Sequence, residues 1–233
     1  MSDLLLQAQH LTKRFGGLAA VNDVSIDLVR GQIHAVIGPN GAGKSTLTNL
    51  LSGELPLTSG DIHLAGTNIT SWNAERIARR GLGRSFQKTN VFLPFTVFEN
   101  VRLAAYFNLE QTQKAIALAK LEQRTQTIAA NMSHGEQRQL EVAMCLAGNP
   151  KVLLLDEPLA GMGAEEAESM IELLHSLKGN HAIMLVEHDM DAVFALADVL
   201  TVMVDGRVIA SGTPAAIRID KGVQAAYLGE DHE

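Results

Sequence analysis

The run Gly38-Pro39-Asn40-Gly41-Ala42-Gly43-Lys44-Ser45 constrains this chain more than any other feature. It matches G-x-x-x-x-G-K-[ST] and falls between a short apolar segment, Ile33 to Ile37, and a helical pattern beginning near Lys44. Glycines at this spacing let successive backbone N–H groups turn inward around a phosphate, and the following helix adds the positive end of its dipole. Lys44 is expected to bridge the β- and γ-phosphates and the Ser45 hydroxyl to ligate Mg²⁺, with Thr46 completing the cradle. The loop therefore predicts a nucleoside triphosphate site.

Two further apolar runs, Val152 to Leu155 and Ala182 to Val186, read as strands buried on both faces. The helical pattern between them (Ala167, Met170, Ile171, Leu174, Leu177) closes at Gly179 and makes a parallel crossover unit. Each strand ends in polar chemistry: Ile37 in the glycine loop, Leu155 in Asp156-Glu157, Val186 in Glu187-His188. In open parallel sheets ligands bind beyond the carboxyl ends of the strands, so three ends are expected to meet at one phosphate group. Asp156 is placed to orient Mg²⁺ through water, and Glu157 to act as general base; the plain alternative is a solvated pair.

The first thirty residues alternate loosely, as half-buried antiparallel strands do, and Asp205-Gly206 between two apolar runs predicts a hairpin. Thr96…Glu99 and Ser133…Glu136 fit capping boxes, and the pattern from Asn100 to Ala147 is helical. The expected fold is α/β, with a mixed, mainly parallel sheet of the P-loop NTPase kind. It carries an N-terminal antiparallel β-subdomain and a helical subdomain inserted at about 90–145 of a single 1–233 domain. Only 4% of the residues are aromatic and the net charge is −7, which argues against a single-strand stacking platform and against attraction to phosphate backbones. No apolar run approaches a membrane span, and Met1-Ser2-Asp3-Leu4 lacks the basic start of a signal peptide. One cysteine, Cys145, is read as a buried small hydrophobe; Arg76, Arg79 and Arg80 as a solvated helix face; and no histidine has zinc-ligand spacing.

Read with Met132-Ser133-His134-Gly135-Glu136, these motifs resemble the ATP-binding-cassette family of transporter ATPases over nearly the whole chain. The resemblance implies ATP and Mg²⁺ as cofactors and two cassettes sandwiching two ATP molecules head to tail. Ser133 and Gly135 of one chain would then face the γ-phosphate held by the other. Gln87 resembles the family's glutamine that touches Mg²⁺ or water, His188 its γ-phosphate-binding histidine, and Phe15 the aromatic stacked on adenine. The bland alternatives are a plain N-cap for Ser133, a polar loop residue for Gln87, a strand-end histidine for His188 and core packing for Phe15.

Gly83-Arg84-Ser85-Phe86-Gln87, Phe95 to Asn100, Ser133 to Arg138, Glu187-His188-Asp189-Met190 and Ala226 to Glu230 are similar to the branched-chain amino acid importer branch, which has a close relative serving urea uptake. That likeness implies transmembrane permease subunits, a second ATP-binding subunit (a copy or a sister chain) and, indirectly, a solute-binding protein, with no nucleic acid. The chain would sit peripherally on the cytoplasmic face of the inner membrane. It departs from the family pattern at His134, Glu136 and Gly163, and its helical insertion looks short. An exporter ATPase, a soluble ATPase acting on ribosomes or DNA, and a non-hydrolysing nucleotide switch are the rival readings.

Overall fold

The structure, a computed structural model, describes residues 3–87 and 90–228. The C-terminal Gly229-Glu230 of the importer-like motif falls outside the described residues. Strands β1 (Leu4–Phe15) and β2 (Leu18–Val29) form the expected antiparallel pair. After them come β3 (Ile33–Ile37), the glycine loop and α1 (Lys44–Leu51). Then β4 (Ser59–Leu64) and β5 (Thr67–Asn68) return to the first sheet, in the order β2-β1-β4-β5. Helix α2 (Ala74–Gly81) and the three-residue strand β6 (Leu82–Arg84) lead into α3 (Val97–Ala104), α4 (Leu109–Leu118) and α5 (His134–Ala147). Both expected capping boxes form. Ser133 Oγ accepts from the Glu136 N–H at 3.2 Å, and Glu136 returns a carboxylate oxygen to the Ser133 N–H at 2.9 Å; Thr96 and Glu99 repeat the pattern.

The chain then runs through β7 (Val152–Asp156), α6 (Ala164–Lys178), β8 (Ala182–Val186), α7 (Met190–Leu196), β9 (Val199–Val204) and β10 (Arg207–Gly212), ending in α8 (Pro214–Arg218) and α9 (Lys221–Leu228). The second sheet has the order β10-β9-β3-β8-β7-β6, parallel except for β10. Its central strands alternate between two cores. Ile33, Ala35, Ile37, Leu153, Leu155, Ile183 and Leu185 pack with helices α3–α7, while Val36, Val152, Leu154, Ala182, Met184 and Val186 pack toward α1 and the antiparallel sheet. Period-two alternation with both faces buried is why these strands read as unbroken apolar runs, and each buried Val, Leu, Ile or Met side chain among them contributes roughly 1.5–3 kcal/mol. No described helix is long and apolar enough to cross a membrane.

The Asp205-Gly206 hairpin forms with both residues at positive φ, 48° and 76°, and it also supports the glycine loop. The Gly206 N–H donates to the Ala42 carbonyl at 3.0 Å, and a Cβ on Gly206 would press on the Ala20 carbonyl at 2.8 Å. At Gly43, φ is 98° and a Cβ would collide with the same carbonyl, so only glycine closes the loop onto α1.

Candidate active site

A cavity of about 210 Å³ is lined by Asn40, Gly41, Ala42, Gly43, Lys44, Ser45 and Thr46, joined by Ala20, Gln87, Glu157 and Val186. The Lys44 ammonium folds back onto its own loop, donating to the Gly38 carbonyl at 2.5 Å and the Pro39 carbonyl at 3.0 Å. Burial lowers its pKa, against the pull of Glu157 and Asp156, so the two carboxylates stand within electrostatic reach of the loop.

Asp156 closes β7 and is buried; its N–H donates to Ser85 Oγ at 3.1 Å. Desolvation and the neighbouring Glu157 raise its pKa, while Arg84, Lys44 and Arg138 pull it down. Glu157 follows in the left-handed region, φ 49°, where a non-glycine residue is strained, and its N–H donates to the Val186 carbonyl at 2.8 Å. The bond ties the ends of β7 and β8 together. Gln87 Nε2 lies 3.5 Å from Glu157 Oε2, and His188 Nδ1 lies 3.6 Å from Glu157 Oε1. Gln87 and His188 thus meet at Glu157 from two sides; Gln87 and Glu157 line the glycine-loop cavity, and His188 does not.

Three supporting residues went unsingled in the sequence. Arg138, buried on α5, donates to the carbonyls of Phe86 (3.1 Å) and Gln87 (2.7 Å) and pairs with Glu141 at 3.0 Å. Glu141 in turn accepts from the Phe86 N–H at 3.2 Å, so the helix that starts at Ser133 grips the segment carrying Gln87. Glu187, 1% exposed, accepts from the N–H groups of Leu159 and His188 and fastens the loop after Glu157 to the end of β8. An i,i+3 charge pair on a helix reads as a solvated face, and nothing in the local pattern marks it as buried.

Ser133 and Gly135 sit elsewhere, on a second cavity of about 410 Å³ that shares no lining residue with the phosphate loop's. One chain does not bring the two together. Phe15 is 49% exposed with Lys13 Nζ 5.2 Å from its ring centroid, which removes the core-packing alternative, and it does not line the loop cavity. Cys145, expected to be a buried small hydrophobe, packs against the helical core but is only partly buried. It lines a groove beside β6, its thiol pushed up by desolvation and by Glu141. Arg76, Arg79 and Arg80 are exposed and engaged locally, Arg79 with Glu75 at 2.8 Å and Arg80 with Thr67 Oγ1 at 2.6 Å.

The site fits a nucleoside triphosphate with Mg²⁺. The Ser45 hydroxyl, Gln87 amide oxygen and Asp156 carboxylate are all hard oxygen donors, as Mg²⁺ requires. Among the described residues no cluster of three or more His, Cys, Asp or Glu could hold a metal by itself, so a cation here takes further ligands from phosphate and water.

Residues 21–160 match the ABC transporter family, and residues 207–233 match the branched-chain amino acid ATP-binding cassette transporter family. LivG, the high-affinity branched-chain amino acid transport ATP-binding protein of Salmonella typhimurium, is 37% identical over 254 positions, covering 99% of this chain and 100% of LivG. That span exceeds the 233 residues here, so LivG carries segments this chain lacks. LptB, the lipopolysaccharide export system ATP-binding protein of Escherichia coli, is 30% identical, covering 97% of this chain and 98% of LptB. The solved ADP conformation of an ATP-binding cassette of an ABC transporter superposes with TM-score 0.87 at 28% identity, over 97% of this chain and 99% of that one.

Proposed function

Because the chain belongs to the ABC transporter family and is one of its ATPases, we propose that it powers import of branched-chain amino acids or a related small polar solute across the cytoplasmic membrane. The likeness to LivG and the match of residues 207–233 support import, and Gln87 and His188 meeting at Glu157 beside the glycine loop, with Ser133 and Gly135 on a separate face, supports the ATPase chemistry that drives it. A phosphate-facing pair that its own loop cannot reach calls for a second ATP-binding subunit, a copy or a sister chain. Lys44 leaves its loop carbonyls for the β- and γ-phosphates. Ser45, Gln87 and, through water, Asp156 would hold Mg²⁺, which would supply charge neutralisation on the phosphate oxygens. Glu157 takes the proton of the attacking water, and His188 holds the γ-phosphate and orients that water. Phe15, exposed at the end of β1, stacks on the adenine.

A groove of about 500 Å³ between β6 and the helices α3–α5, with Arg79, Arg84, Phe86, Tyr106 and Met144 in its lining, is the surface for a permease subunit. Seating there would place the chain peripherally at the membrane, with a solute-binding protein only an indirect partner and nucleic acid none. The likeness to LptB favours export as a second reading. It is the weaker one, at 30% identity against 37%, with the C-terminal match falling to the branched-chain family.

The test is capture of the tagged chain from membranes in mild detergent, with leucine and urea uptake measured in vesicles. Multi-spanning permeases, and uptake lost in Glu157→Gln, are expected. Recovery with ribosomal, DNA-bound or lipid-export components contradicts the reading.

A further inference from the structure

We infer that Glu166 occupies the anion seat at Ser133 and Gly135 from within the same chain, and must leave before a partner's nucleotide can enter. Ser133 Oγ donates to Glu166 Oε1 at 2.7 Å while accepting from the Glu136 N–H at 3.2 Å. A hydroxyl carries one hydrogen, and Glu166 holds it. The other carboxylate oxygen accepts from the Gly163 N–H at 3.3 Å. The Glu166 side chain packs against Gly135, where an added Cβ would come 2.6 Å from Glu166 Cδ.

A serine hydroxyl and backbone N–H groups at the start of a 14-residue helix are the donors that bind a phosphate oxygen, and a carboxylate has taken the hydroxyl. Occupancy is therefore exclusive. The hydroxyl hydrogen serves one anion, and a phosphate arriving beside Glu166 meets a like charge. Glu166 also closes the first turn of α6 through Gly163, so its release loosens the loop running from Glu157 into that helix. Glu166 is thus a positioning residue, acting through its hold on Ser133 and its charge beside the seat. The inference rests on the proposed sandwich of two subunits and adds a barrier to closing it.

The experiment measures, in the full chain carrying Glu157→Gln, the MgATP concentration that half-saturates dimerisation, by light scattering. Glu166→Gln keeps an amide oxygen for Ser133 but removes the charge, and should lower that midpoint by about tenfold. Glu166→Ala should lower it similarly, and ATP affinity of dilute monomer, read by equilibrium dialysis, should stay unchanged. A midpoint unmoved or raised by Glu166→Gln, with the unfolding temperature retained, overturns the role. So does an equal change in monomer affinity. If Glu157→Gln forms no ATP-dependent dimer at all, the sandwich fails and the inference with it.

Discussion

Lys44 and Ser133 are both donors suited to phosphate, and the chain satisfies them in opposite ways. Lys44 rests on two neutral carbonyls of its own loop, Gly38 and Pro39. Ser133 is held by a charged carboxylate from another helix, itself fixed by the Gly163 N–H. An arriving phosphate attracts the first cation away from weak acceptors, but at the second seat it must displace a competing anion. On the proposed sandwich of two subunits, nucleotide binding to one chain and closure onto a second are separately controlled, the first easy and the second resisted.

The largest effect should come from Lys44→Ala, which removes the only side-chain cation lining the loop cavity among the described residues. ATPase kcat/KM should fall by about 10³-fold with the fold intact by circular dichroism. Retention of activity within a few-fold would break the comparison at its first term.

Next comes the link between the halves. Arg138→Met strands the buried Glu141 carboxylate and frees the Gln87 carbonyl, and should cost about 3–5 kcal/mol in denaturant unfolding. Arg138→Met with Glu141→Gln should recover part of that loss, because the stranded charge is its main cause. A double variant as unstable as the single would show that the pair's burial is not the reason.

The smallest effect concerns Glu187. Burial raises its pKa above the usual carboxylate range, more than the Leu159 and His188 N–H groups lower it. A folded pKa above the unfolded one means that the folded state keeps the proton longer, so stability falls as pH rises from the ordinary carboxylate range through the raised value. Glu187→Gln should flatten that fall. An unchanged pH profile of unfolding would remove Glu187 as its source.

The sequence made the first half of the comparison legible and left the second half hidden. The glycine loop, the two-sided strands and the Asp205-Gly206 turn are local patterns, each fixed by backbone geometry over a few residues. Strands β4 and β6 escaped because Ser59-Gly60-Asp61 is polar and turn-like, and Leu82–Arg84 is too short to show a period; both form through their partners, β1 and β7. Glu166 was hidden for a sharper reason. Its box begins at Gly163, which has no side chain to mark a cap, and its contact with Ser133 spans 33 positions. Arg138 and Glu141 follow the same rule, since burial of a charge pair depends on what the fold brings over it.

The most direct measurement is the mass of the Glu157→Gln chain in solution, with and without MgATP, alone and with Ser133→Ala added. The account predicts twice the monomer mass with MgATP for Glu157→Gln. It predicts monomer for the double variant, which should still bind ATP through its intact loop. A monomer at saturating MgATP in the first, or an undiminished dimer in the second, would contradict the claim that Ser133 completes a neighbour's site.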